Sequence, residues 1–166
     1  IVRLLYYDGR PRADQYIQIN KQTIDSSGNK SLGEGVAGEK TDKNGEVKLN
    51  LNEGIYAVFT QGPGMGWTIY DIILGKGDIK VIELKLGKLI IDLSDDYAGK
   101  KLWLRDTNDY TLYSFNLDVK GNYETDLVPG TYYISTDYWS IGAKIPIESG
   151  KFTRWDGELV YQPTPP

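Results

Sequence analysis

The sequence predicts an all-β protein made of two tandem β-sandwich domains. Three observations predict it. Apolar residues alternate with polar ones, as a half-buried strand requires. Glycine-containing turn signals punctuate these runs at short intervals. The pattern then occurs a second time further along the chain.

Taken in order, the first run is Val2-Arg3-Leu4-Leu5-Tyr6-Tyr7, closed by Asp8-Gly9. Ile17 and Ile19 alternate with Gln18 and Asn20, and Ser27-Gly28-Asn29 ends that stretch. Val47, Leu49 and Leu51 alternate with Glu46, Lys48 and Asn50, between turns at Asn44-Gly45 and Glu53-Gly54. Leu102 and Leu104 flank Trp103, and later turns fall at Lys120-Gly121, Pro129-Gly130 and Asp156-Gly157. Helical periodicity is almost absent, so short strands divided by turns imply sandwiches of about seven strands each.

The repeat sets the domain division. Residues 42–69 match residues 118–145 at a shift of 76 with eight identities, among them Asp42, Gly45, Gly54 and Tyr56. That is several times the roughly 6–7% per position expected from ordinary composition. Upstream, a shift of 85 pairs Leu4 with Leu89, Ile17 with Leu102 and Ile19 with Leu104. The nine-residue excess falls in the first copy, and Ser26 to Glu39, with its Gly, Ser and Asn, reads as an inserted loop. The division is then a first domain over 1–86, a second over 87–162 and a proline-rich tail or linker over 163–166. The junction Leu84-Lys85-Leu86-Gly87-Lys88-Leu89 leaves almost no linker, which favours a fixed rod over beads on a string. The start at Ile1 without Met, and three prolines in the last four residues, suggest a processed chain or a piece of a longer one.

Composition narrows function by exclusion. The 166 residues contain no His and no Cys. Histidine-dependent triads, thiol nucleophiles, thiolate or imidazole zinc sites and disulfides are therefore absent. A net charge of −4 gives no general attraction to nucleic acid or anionic lipid. No apolar run approaches the ~18 residues of a membrane span. No cofactor is implied.

The unit strand, Gly turn, strand, Gly-x-Tyr, strand is carried by Asn44-Gly45-Glu46-Val47 through Glu53-Gly54-Ile55-Tyr56. It returns as Lys120-Gly121-Asn122-Tyr123 through Pro129-Gly130-Thr131-Tyr132. It resembles the Cna-B, carboxypeptidase-regulatory and transthyretin-like group of β-sandwich modules. The resemblance implies two immunoglobulin-like or transthyretin-like sandwiches serving as stalks or spacers in bacterial surface proteins and pili. In it Gly54, Tyr56, Gly130 and Tyr132 are structural: the glycine makes the turn and the tyrosine begins a buried strand. Some Cna-B domains also carry a Lys–Asn or Lys–Asp isopeptide bond assisted by an acid. Here Arg3 stands where the first copy would need Lys. The second copy offers Lys88, Glu124 and Asp156, and the expectation is that these are solvated surface charges.

Candidate binding residues are aromatic. Trp67, Trp103, Tyr138 and Trp139 could stack on sugar faces if exposed, although aromatics in small cysteine-free sandwiches more often cover the core rim. The glycine-rich Gly62-Pro63-Gly64-Met65-Gly66 segment lacks the context of a phosphate loop and reads as a strand connection. The acidic stretches 92–96 and 106–109 match no calcium loop and read as turn acids. Asn29-Lys30-Ser31 is a glycosylation sequon at Asn29. The sequence thus points to a non-enzymatic structural module of a cell-surface or secreted assembly: a stalk, adhesin segment or filament subunit. Its partners would be neighbouring domains or subunits, without nucleic acid or membrane insertion. The alternative is a carbohydrate-binding accessory module of an extracellular enzyme, discriminated by whether the tryptophans form an exposed platform.

Overall fold

A computed structural model describes residues 1–108, 111–136, 142–157 and 160–161. The chain is all-β and divides into two compact units, each a β-sandwich. The first unit comprises Ile1–Leu5, Arg10–Gly62 and Gly66–Leu84. The second comprises Tyr6–Gly9, Pro63–Met65 and the chain from Lys85 onward.

The first unit holds β1 (Val2–Leu5), β2 (Tyr16–Ile24), β3 (Lys30–Lys40), β4 (Glu46–Val47), β5 (Gly54–Gln61), β6 (Gly66–Leu74) and β7 (Ile82–Lys85, whose last residue groups with the second unit). One sheet has the order β4-β1-β7 and the other β3-β2-β5-β6. The second unit holds β8 (Gly87–Asp92), β9 (Lys101–Arg105), β10 (Thr111–Asn116), β11 (Asn122–Leu127), β12 (Gly130–Ser135), β13 (Ala143–Ile147), β14 (Phe152–Trp155) and β15 (Val160–Tyr161). Its sheets run β11-β8-β14-β15 and β10-β9-β12-β13. Strand for strand the two orders are the same, with β15 added in the second unit. Among the described residues the helical content is one 3-10 turn at Asp95–Tyr97.

One local device closes three of the turns. In each, an Asp lies three residues before a Gly that holds positive φ: Asp25 and Gly28, Asp42 and Gly45, Asp118 and Gly121. The glycine N–H donates to the Asp carbonyl at 3.0, 2.9 and 3.1 Å respectively. The Asp carboxylate accepts two further backbone N–H groups, such as those of Asn44 and Glu46 at Asp42 Oδ1 (2.8 and 2.9 Å). Asp118 Oδ1 does the same for Lys120 and Asn122. Side chains of this length bond their own backbone two residues on, which is why Asp begins turns.

Alternation places the cores. In β2 Ile17 and Ile19 point inward with Val2, Leu4, Val47, Tyr56, Val58 and Leu84. In β9 Leu102 and Leu104 point inward with Leu89, Ile91, Leu127, Tyr132, Ile134 and Ile145. Each buried aliphatic or aromatic side chain contributes roughly 1.5–3 kcal/mol of apolar burial.

Registers correct three sequence-level equivalences. Leu4 N–H donates to Gly45 O at 2.8 Å, and Leu93 N–H to Gly121 O at 3.0 Å. Leu4 therefore corresponds to Leu93 (a shift of 93 − 4 = 89), not to Leu89. A strand's facing repeats every two residues, so a slip of four keeps every apolar residue inward and is invisible to pattern alone. The Ile69–Ile145 identity is also not structural, because Tyr56 pairs with Ile72 whereas Tyr132 pairs with Ile145. Finally, the nine-residue excess is no loop. It lengthens the β2–β3 hairpin, in which Tyr16 to Ile24 pair with Lys40 to Lys30 through two irregularities.

β1 pairs within its own unit and is central in its sheet, between β4 and β7.

Candidate functional site

The two motif tyrosines occupy equivalent places. Tyr56 and Tyr132 are both buried, with Tyr132 fully enclosed. Tyr56 Oη donates to Asn52 O (2.9 Å), and Tyr132 Oη donates to Val128 O (2.7 Å). Each hydroxyl thus reaches back four residues and ties the turn before its strand to the core. Gly54 and Gly130 open those strands, β5 and β12. Burial pushes the Tyr132 phenol well above the usual tyrosine range. Burial likewise pushes Tyr113 up to about 12. Phe115 and Tyr123 stack beside it, with ring centroids 3.9 Å apart.

The proposed stacking residues are placed as follows. Trp67 lies on β6 opposite Thr60 and packs, half-buried, against the first core. Trp103 lies on β9 between Ser114 and Ser135 and is also half-buried, with Lys101 Nζ 5.9 Å from its ring. Arg105 and Ser135 share its face by strand alternation, and both are buried. Ser114, opposite Trp103 on that face, is exposed, so solvent reaches one flank of the ring, and Trp67 and Trp103 are each half-buried. Tyr138 and Trp139 lie outside the described residues, as do Asp109, Tyr110 and the 163–166 tail.

Asn29 is exposed in the turn of the β2–β3 hairpin, where its Nδ2 donates to Asp25 Oδ2 at 3.0 Å. No group of three or more Asp, Glu, His or Cys that could hold a metal occurs among the described residues.

The Lys88 geometry does not suit an isopeptide bond. Lys88 is on the face of β8 opposite Leu89 and Ile91, and its Nζ pairs with Glu124 Oε2 at 2.6 Å. It also lies over the Tyr7 ring, 5.0 Å from the centroid. The hydrogen bond to Glu124 raises the Lys88 pKa against the opposing effect of partial burial. Nucleophilic attack needs a neutral amine, so this pairing works against the reaction. On the neighbouring strand Phe152 is opposite Lys88. Asp156, four residues further on, is about 13 Å along at the rise of a strand. In the first unit Arg3 is held by Glu46, with Nε at 3.0 Å and Nη2 at 2.7 Å.

Sequence reading missed the Lys88–Glu124 pair as a contact and missed the recurring Asp-x-x-Gly turn. The second was findable, because the spacing occurs four times in the sequence, and three of the four, all but Asp96–Gly99, build this turn.

No protein-family model matches the chain, and no curated protein matches it. Among solved structures it is similar to the Bacillus anthracis TIE protein, at 14% identity and a TM-score of 0.32. That alignment covers 95% of this chain and 33% of the other. It is also similar to a Streptococcal ancillary pilin, at 13% identity and a TM-score of 0.36, covering 99% of this chain and 58% of the other. This chain therefore spans less than two thirds of either. Likenesses this distant carry nothing about activity or partners. No helix among the described residues is long and apolar enough to cross a membrane.

Proposed function

We propose that this chain is a non-enzymatic structural module of a cell-surface or secreted assembly, serving as a stalk, adhesin segment or filament subunit. We place the division of its domains at Leu86/Gly87. The observation that supports this reading is the pairing of the second unit's first strand with its last long strand. β8 and β14 are adjacent and parallel, with Lys88, Leu89, Ile90 and Ile91 opposite Phe152, Thr153, Arg154 and Trp155. Tension applied at the start of β8 and beyond the end of β14 acts along this strip. Its hydrogen bonds must then fail together, whereas a hairpin pulled at its open end loses them singly. Forced unfolding is governed by that barrier, so the arrangement suits a segment held under tension.

Single-molecule pulling of the chain from its two ends tests the reading. The second unit should unfold in one event at a force well above that of an unzipping hairpin. Replacing Ile90 by Pro removes a donor from the strip and should lower that force. Unfolding at hairpin-like forces would count against a force-carrying role.

A further inference from the structure

The first sandwich has an open strand position whose counterpart within the second sandwich is occupied by that unit's own chain. The registers define it. Ile1 N donates to Lys80 O (2.7 Å), and Ile82 N donates to Ile1 O (2.9 Å). In the second unit, Arg154 is the partner of Ile90 on the adjacent parallel strand. Ile1 thus corresponds to Ile90, and Ile1-Val2-Arg3-Leu4 corresponds to Ile90-Ile91-Asp92-Leu93. Before Ile90 the second unit continues with Leu86-Gly87-Lys88-Leu89. Those residues are held on both sides from Gly87 onward. Gly87, Lys88 and Leu89 pair with Leu127, Asp126 and Thr125 on one side. On the other, Lys88 N donates to Lys151 O (2.9 Å) and Gly150 N donates to Leu86 O (3.0 Å).

In the first unit the flanking segments are present, and among the described residues no strand lies between them. β4 stops at Val47, and Lys48 to Leu51 continue outside any strand, where the equivalent β11 runs on to Leu127. Gly77, with φ of 79°, stands where Gly150 stands, with φ of 69°. Between these segments lies a cleft of about 380 Å³, bordered by Leu49, Leu51, Ile72, Leu74, Ile79 and Ile82. The burial of paired positions differs accordingly. Leu127, Ile145, Ile147 and Trp155 are buried, whereas their counterparts Leu51, Ile72, Leu74 and Ile82 are half-exposed. Ile79 is 87% exposed, while its counterpart Phe152 is half-buried.

We infer that this cleft is a strand-binding position, occupied by an extended segment of about four residues with an apolar side chain directed inward where Leu89 lies in the second unit. The occupant is a polypeptide segment joined directly to the nitrogen of Ile1. β1 is already laddered to β7 at Ile1, so a segment joined there continues in line into the cleft. It needs no separate association step, whose ordering cost an unlinked strand would bear in full. If Lys48 to Leu51 take up the ladder that β11 has, the alternation fixed by Leu4 N and Gly45 O turns the N–H groups of Leu49 and Leu51 to this segment.

The test extends residues 1–166 by Leu-Gly-Lys-Leu, the second unit's own filling sequence, placed before Ile1. A control extension, Leu-Gly-Lys-Asp, differs only at the inward position. Amide hydrogen exchange is followed at Leu49, Leu51 and Gly77. The Leu extension should slow exchange at these amides roughly tenfold or more relative to the unextended chain, and the Asp extension should do much less. Unchanged exchange with both extensions overturns the inference. Equal protection by both overturns the inward apolar requirement. Concentration-dependent protection of the unextended chain, with dimers in sedimentation, assigns the cleft to a second copy and overturns an occupant joined to Ile1.

Discussion

Gln22 and Asp71 exchange two hydrogen bonds across the first unit. The Asp71 backbone N–H donates to Gln22 Oε1 at 2.7 Å, and Gln22 Nε2 donates to Asp71 Oδ1 at 3.0 Å. Lys30 pairs with the same carboxylate. Asp71 holds a φ of 63°, a left-handed conformation that costs a non-glycine residue energy. The pair thus fastens the lengthened β2–β3 hairpin to a strained point on β6, which is not its hydrogen-bonded neighbour in the sheet.

Replacing Gln22 by Ala should accelerate amide exchange at Asp71 and loosen the hairpin beyond Lys21, while Ile17 and Ile19 stay protected. Lys30, then Gln22, hold the Asp71 carboxyl below its ordinary value. A depressed folded pKa contributes stability above the unfolded value, about 3.9, and loses it as pH falls through the folded value. NMR of the hairpin should therefore show release of Gln22 and Lys30 only below about pH 4. Release already at neutral pH would contradict the assigned contact.

Replacing Tyr132 by Ala should destabilise the second unit by roughly 3–5 kcal/mol, as for other fully buried aromatic truncations. Tyr132→Phe should cost about 1–3 kcal/mol, because it leaves the Val128 carbonyl without that donor in a buried setting. Tyr56→Phe should cost less, since its hydrogen bond is only partly buried. Urea unfolding of the three variants checks the order, and a wild-type midpoint for Tyr132→Ala would refute the core role.

Alkaline titration should separate the tyrosines. Burial raises the pKa of both Tyr113 and Tyr132. A folded pKa raised above the unfolded value, about 10, gives stability that is complete below pH 10 and lost as pH rises toward the folded value. Phenolate absorbance should show two rings that stay protonated past pH 11 and ionise only with unfolding. Ionisation of all tyrosines near pH 10 in a folded chain would contradict their enclosure.

Two glycines of the second unit should respond unequally to alanine. Gly99 and Gly121 both have positive φ, 68° and 78°. A Cβ on Gly99 meets no atom within 4 Å, whereas one on Gly121 lies 2.2 Å from the Ser94 carbonyl oxygen. Gly99→Ala should cost about the 1–2 kcal/mol of the left-handed backbone alone. Gly121→Ala should cost clearly more, because the opposing atom is backbone. Equal melting temperatures would argue against the turn geometry at Gly121.

The all-β class, the recurrence of one strand-and-turn pattern, the turn positions and the inward faces of the strands are all legible in the amino-acid sequence. Each of these is local: alternation of period two marks a buried face, and Asp with Gly three residues later builds a turn from its own atoms. Tyr56 and Tyr132 were legible for the same reason, since each hydroxyl bonds a carbonyl only four residues away. Tertiary structure alone decided what pairing across strands decides. A four-residue slip leaves alternation unchanged, so only the Leu4–Gly45 and Leu93–Gly121 bonds reveal which first-strand residues correspond. The segment Ser26 to Glu39 has a loop's composition, yet Gln22, Thr23 and Ile24 pair it into a hairpin. Lys88 read as a solvated charge until strand pairing set Glu124 beside it. The half-burial of Trp67 and Trp103 depends on what covers their faces, and no property of the local sequence encodes that. The open position beside Leu49 and Leu51 emerges only by comparing two ladders, because it is defined by strand partners distant in the chain.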